Sequence, residues 1–146
     1  DGGSWQPKSV ALMPEGTTPF ELAYNANLNR LYVVFADSNN NWFVDIWKPE
    51  LSALWGREAT LHVGNGGNVQ DINVGGTGLA VNPTTGNVFN ANTADGTLSV
   101  ISGSQQRVTA TLPIGTDPFP VAVNPLTNVV LVGLRSENAL VKVNDQ

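Results

Sequence analysis

The chain alternates short apolar runs with Gly, Asn, Asp and Pro, which is the punctuation of β-strands. One phrase is written three times: Leu22-Ala23-Tyr24-Asn25, Leu79-Ala80-Val81-Asn82-Pro83 and Val121-Ala122-Val123-Asn124-Pro125. After a short turn, each copy is followed by a second apolar run: Leu31 to Phe35, Val88-Phe89, and Val129 to Val132. No stretch carries a convincing helical period. The nearest is Pro49 to Trp55, a turn or two with Pro at its first position.

Asn82 and Asn124 are 42 residues apart, the length of one propeller blade of four strands. The pattern therefore predicts an all-β chain of β-propeller blades, each of four antiparallel strands a to d. Blade two is the clearest: a over Gly78–Val81, b over Val88–Ala91, c over Thr97–Ile101 and d over Arg107–Ile114. Blade three repeats a (Pro120–Val123), b (Val129–Leu134) and c (Ala139–Val143). Leu12 to Phe20 parallels Thr111 to Phe119, so Ser9–Met13 reads as a d strand with no a, b or c before it. The expected divisions are 5–14 as an outer strand of a preceding or closing blade, 18–64 as blade one with insertions, 75–115 as blade two and 117–146 as an incomplete blade three. Blade one is irregular: Asn25 to Asn82 spans 57 residues, with the surplus around Trp47 to Gly56 and Asn65 to Gly76.

About three blades make half a propeller, and closed rings usually need four to eight. Such an arc has two raw ends, each an apolar face or an unpaired edge. The orphaned N-terminal strand suits a velcro-like closure in which it completes the last blade of another copy. The ring is thus expected to be finished by a second copy, by a different chain, or by further blades of a longer polypeptide.

Residues that recur once per blade belong to the blade. Ala23, Ala80 and Ala122 sit on the innermost strand, where blades converge and space is smallest. Asn25, Asn82 and Asn124 suit a side-chain cap on the a–b turn. Function is to be sought where the repeat breaks. The b–c and d–a loops share one rim, and there the candidate binding residues are Asp37, Asn39, Asn41, Asn68, Asp71, Asp95 and Arg135. On the opposite rim Trp47 and Trp55 flank the c–d insertion as candidate exposed aromatics, able to stack a sugar or anchor a protein. Trp42 is expected between blades, and Trp5 at an assembly seam.

Asp37, Asn39 and Asn41 match the opening ligands of a D-x-N-x-N calcium loop, but Trp42 and Lys48 stand where its Gly and Glu belong. A polar turn is the better reading, and no cofactor or metal is expected. His62 is the single histidine and lacks the partners of a zinc centre or a nucleophilic triad. No spacing singles out a catalytic pair among Asp37, Asp45, Glu50, Asp71, Asp95 and Glu137. The Gly-rich stretches at 64–68 and 75–78 precede no helix and no Gly-Lys-Ser/Thr, so they are loops and not phosphate cradles.

Composition narrows the classes further. The chain has 146 residues, enough for one domain with a core, with 41% hydrophobic and 13% charged. A net charge of −5 and scattered Lys and Arg argue against a nucleic-acid backbone as partner. The chain has no cysteine, hence no disulfide and no thiolate chemistry. No apolar stretch is long enough to span a bilayer as a helix. The sequence opens at Asp1 with no signal-like segment, which reads as a processed or excised terminus.

Val121 to Asn128 and Leu79 to Asn92 resemble the inner half of a YVTN-type β-propeller repeat, and Leu98–Ile101 with Ala110–Gly115 resemble its outer half. The likeness is strong over 75–143 and loose over blade one. The namesake tetrapeptide is degenerate: Tyr32-Val33-Val34-Phe35, Phe89-Asn90-Ala91-Asn92 and Leu131-Val132-Gly133-Leu134. The resemblance implies a propeller in an extracellular, cell-surface or periplasmic setting and no single activity. The function expected is a non-catalytic binding or structural module that mediates protein–protein assembly. The alternatives are a lyase or hydrolase sited at the rim, or a carbohydrate-binding propeller.

Overall fold

The computed structural model describes residues 13–49, 55–65 and 78–146. They form eleven strands in chain order, and no helix. The first sheet contains β1 (Thr18–Asn25), β2 (Arg30–Ala36), β3 (Asn41–Pro49) and β4 (Trp55–Asn65). The second contains β5 (Leu79–Val81), β6 (Asn87–Asn92), β7 (Thr97–Ser102) and β8 (Arg107–Pro113); the third β9 (Pro118–Asn124), β10 (Val129–Leu134) and β11 (Ala139–Asn144). Within each sheet the strands lie side by side in chain order and pair antiparallel, which is the layout of propeller blades. The chain is all-β, and its three sheets are consistent with the blades of a partial propeller.

Pro49 and Trp55 are opposite partners on β3 and β4, so the helical turn expected to join them does not span those two ends; residues 50–54 lie outside the described ones. The outer strand expected over 5–14 falls almost wholly outside them too, and Met13 and Pro14 are not in a strand.

The a–b turns form as their sequence dictates. Asn25 Oδ1 accepts from the backbone N–H groups of Asn27 (3.0 Å) and Leu28 (3.1 Å). Asn82 Oδ1 accepts from Thr84 N (3.0 Å), and Asn124 Oδ1 from Leu126 N (3.0 Å). A carbonyl two bonds from the backbone reaches the next turn's amides at little entropic cost, which is why Asn recurs here.

Side-chain alternation gives each blade a face toward the blade before it (leading) and one toward the blade after it (trailing). Between blades one and two, trailing Tyr32, Val34, Ala36, Trp42, Val44 and Ile46 pack with leading Leu79, Val88 and Ile101. Phe20 stacks on Trp42 at 4.8 Å. Between blades two and three, trailing Phe89, Ala91 and Leu98 pack with leading Val130 and Val132, helped by Val121 and Val123. The core is therefore two slabs between three sheets. Blade two, covered on both faces, reads as buried along nearly all of β6.

Polar bonds cross the seams as well. Leu79 N donates to Glu21 Oε2 (3.0 Å), and Ser99 Oγ donates to the Val63 carbonyl (2.9 Å). On one rim Asn27 Nδ2 donates to the Pro83 carbonyl (2.7 Å), and the equivalent Thr84 Oγ1 donates to the Pro125 carbonyl (3.0 Å). Each turn thus clasps the next. Gly78 is required where the inner strands converge: a Cβ there would stand 1.8 Å from the Phe119 carbonyl oxygen.

Candidate functional site

Two regions carry the candidate residues: the rim of b–c turns and the outward face of blade three. On the rim, Asp37 closes the β2–β3 turn. Its Oδ1 accepts from Asn39 N (2.8 Å) and Asn41 N (2.9 Å), and its Oδ2 accepts from Asn41 Nδ2 (2.9 Å). Those bonds, led by the Asn41 side chain, hold its carboxyl below the usual carboxylate range, because they favour the charged form. The spacing that resembles a calcium loop serves here to fold the turn around one carboxylate.

In blade three the same place is held by a charge pair. Arg135 donates to Asp117 through Nε (2.7 Å) and Nη2 (3.0 Å), and Ser136 Oγ adds a third bond (3.0 Å). The Arg135 bond is the main reason the Asp117 carboxyl lies below its ordinary value. The guanidinium also sits 5.9 Å from the centre of the Phe119 ring. Glu137 Oε1 accepts from Thr116 N (2.5 Å). In blade two, the Asp95 carboxylate lies beside Gly64, at the end of β4. Asp37 and the Arg135–Asp117 pair thus hold separate turns, and no group of three or more His, Cys, Asp or Glu is placed to hold a metal among the described residues. Asn68 and Asp71 lie outside the described residues.

The aromatics are placed differently from the expectation. Trp47 is only 6% exposed; it pairs with Leu31 on β2, on the face of the sheet that carries Tyr24, with the Arg57 guanidinium 5.7 Å over its ring. It is not an exposed stacking platform. Trp55 is half-buried and makes an edge contact with Tyr24 at 6.4 Å. Trp42 lies between blades. His62 is exposed, edge-on to Phe43 at 5.4 Å. Asp45 is fully buried in the same sheet, with Thr60 Oγ1 at 2.5 Å and Arg57 Nη1 at 3.5 Å.

The second region is defined by the repeat itself. Ala23, Ala80 and Ala122 pair with Tyr32, Phe89 and Leu131, so these three are equivalent trailing positions. Tyr32 and Phe89 are 0% and 1% exposed, but Leu131 is 42% exposed. Likewise Leu98 pairs with Ala91 and Leu140 with Gly133; Leu98 is wholly buried and Leu140 is 74% exposed. Beside them an open groove of about 440 Å³ is lined by Phe119, Pro120, Gly133, Arg135 and Leu140 among others. No single residue of this face is unusual as an apolar surface residue. What marks it is contiguity on a face that its sister blade buries. Sequence reasoning placed open faces at the arc ends but did not name these residues, although the register of the repeat would have done so.

The geometry defines a propeller-type protein, and comparison with solved structures agrees at the level of fold. Hydrazine synthase of Kuenenia stuttgartiensis superposes with a TM-score of 0.68 at 11% identity, over 88% of this chain and 45% of that one. A putative 6-phosphogluconolactonase from Bacteroides fragilis NCTC 9343 gives 0.67 at 15% identity, over 90% of this chain and 36% of the other. A functionally unknown protein from Desulfotomaculum acetoxidans DSM 771 gives 0.61 at 14% identity, over 90% and 42%. The chain spans less than half the length of each of these structures. No family model and no curated protein matches the sequence.

Proposed function

We propose that this chain is a non-catalytic structural and binding module, a YVTN-like propeller sector that mediates assembly when another copy or chain supplies the blade that follows blade three. One observation carries the reading: Leu131 and Leu140 are 42% and 74% exposed at positions where blade two buries Phe89 and Leu98 against its neighbour. Covering large apolar side chains stabilises an interface by about 25 cal/mol per Å² removed from water, before association costs. The lyase or hydrolase reading has no comparable support, since Asp37, Asp117 and Glu137 each bond within their own blade. The carbohydrate reading loses Trp47 to burial.

The test is the mass of the native particle recovered, under non-denaturing conditions, from cells that make the tagged full chain. A particle heavier than the 15.4 kDa chain is expected, with L131K/L140K shifting it down while the far-ultraviolet sheet signal is kept. A lone 15.4 kDa native species overturns the proposal.

A further inference from the structure

We propose that the open face of blade three docks a blade of a different polypeptide, one that sets an Asp or Glu carboxylate against Lys142. This rests on the assembly reading above and names the partner's chemistry. The repeat identifies the residue. Ile46, Val100 and Lys142 are equivalent trailing positions, since they pair with Tyr32, Phe89 and Leu131. Ile46 is wholly buried in the first seam, and Val100 is packed into the second. Blade three puts an exposed ammonium in that place, across the strands from Leu131 and two residues from Leu140. No other charged side chain stands on the trailing positions of β9, β10 and β11. Lys142 shares its row with Ala122 and Leu131, and the rows on either side end in Asn144 and Leu140. Its ammonium makes no ion pair among the described residues. A blade laid on this face takes Lys142 out of water along with the two leucines. An ammonium leaves water at acceptable cost only where a carboxylate meets it. At the internal seams the following blade brings apolar leading side chains to this level: Val88 and Ile101 in the first, Val130 and Val132 in the second. The occupant of the blade-three face therefore shares that apolar surround and differs in carrying an acid within it.

A second copy of this chain does not supply that occupant. The leading face of blade one already buries Val33, Phe35, Asp45 and Trp47 within the chain, and the Asp45 carboxylate is held by Thr60 and Arg57. Phe20 is stacked on Trp42 in the seam on the other side of that blade. The leading faces of blades two and three are packed in the arc's own seams. Two blade-three faces meeting about a two-fold axis would bring two Lys142 ammoniums into one small patch. The strands of neither face offer a carboxylate there, and like charges set together across an interface repel. Each blade face that this chain owns is thus either in use or wrong in charge.

The test is zero-length cross-linking with a water-soluble carbodiimide, which joins an amine only to a carboxylate in contact with it. It is applied to the native particle from the cells that make the chain, and followed by denaturing mass measurement and peptide mapping. A product heavier than 15.4 kDa is expected, in which Lys142 is amide-linked to an Asp or Glu of a different polypeptide. Lys142→Arg should keep the particle and lose the cross-link, because a guanidinium pairs with the acid but does not couple to it. Lys142→Glu should release the chain at 15.4 kDa with its circular dichroism unchanged, since position 142 is exposed within the chain itself. A heavier particle made only of this chain overturns the proposal and leaves the assembly reading standing. So does a mixed particle in which Lys142 stays unlinked, or one that Lys142→Glu leaves intact. If the native chain is alone at 15.4 kDa, the two readings fall together.

Discussion

Asp145 shows how much a single side chain decides at a seam. It is 8% exposed, and its carboxylate accepts from Asn82 Nδ2 (2.7 Å), Asn87 Nδ2 (2.7 Å) and the Thr85 hydroxyl, tying the end of blade three to the a–b turn of blade two. The register puts Gly103 in the same place at the preceding seam, where a Cβ would meet the Tyr32 hydroxyl and the Gly86 carbonyl at 2.5 Å. There is no room for a carboxylate there, and accordingly Asn25 Nδ2, the counterpart of the Asn82 amide, is buried without a partner. Asp145→Ala should therefore cost about 1.5–3 kcal/mol, since it strips charge-assisted bonds and orphans the buried Asn82 amide; a shifted urea midpoint with unchanged slope would show it. Acid sensitivity has a separate source. Asp37, Glu58 and Asp117 all have carboxyl groups held below their ordinary values, chiefly by hydrogen bonds from Asn41, Arg30 and Arg135 respectively. A group whose folded pKa is depressed adds stability above its unfolded pKa and loses it as pH falls through the folded one. Stability should thus decline as pH drops below about 4, the unfolded carboxylate range. D37N/E58Q/D117N should flatten that decline in acid titrations followed by thermal melting, and an unchanged slope would reject the assignment.

At the level of strands and turns, the sequence was most readable where a residue finds its partner nearby. Asn25, Asn82 and Asn124 bond to amides two or three residues on, so the turn they make is written in four or five letters. Strand β2 was legible in the same way: Leu31, Val33 and Phe35 alternate with Tyr32 and Val34, and a strand apolar on both faces belongs to a sheet covered on both sides. What the sequence hid depends on distant partners. Trp47 looked like a rim aromatic because nothing near it in sequence announces that Arg57 lies across its ring. Asp145 carries no local signal at all, because the donors to its carboxylate lie 58 to 63 residues away. The turn around Asp37 closes locally, through Asn39 and Asn41, whereas Asp117 finds Arg135 and Ser136 18 and 19 residues on, a pairing no local pattern announces. The tight turns carry a prediction of their own. Asn138 has φ 50° in the β10–β11 hairpin, a left-handed conformation that Asn tolerates and β-branched residues do not. Asn138→Val should lower stability by about 1–2 kcal/mol, whereas Asn138→Gly should be close to neutral. Thermal melts of the pair separate backbone strain from loss of an amide.

For the molecule as a whole, stability follows nearest-neighbour seams, because in a repeat array each unit touches only the units beside it. Blade two has two seams and lends both faces to them; blade three has one. The difference shows in side-chain burial, nearly continuous along β6 and β7 but alternating with exposed positions along β11. Cooperative opening should therefore be graded along the arc. Native-state hydrogen exchange of the isolated chain at low concentration should find the amides of β6 and β7 protected to nearly the global unfolding free energy, and those of β10 and β11 released by a smaller, sub-global opening. F89A should merge the two classes by weakening the seam that holds blade three, at a cost of about 3–5 kcal/mol for a large aromatic removed from a buried site. In the native particle β10 should gain protection selectively if the blade-three face is covered by another blade, because an occupant of that face secures the strand that bears Leu131. Equal protection of β6 and β11 in dilute solution would mean that the three sheets unfold as one unit, and the seam-by-seam account of this arc would have to be given up.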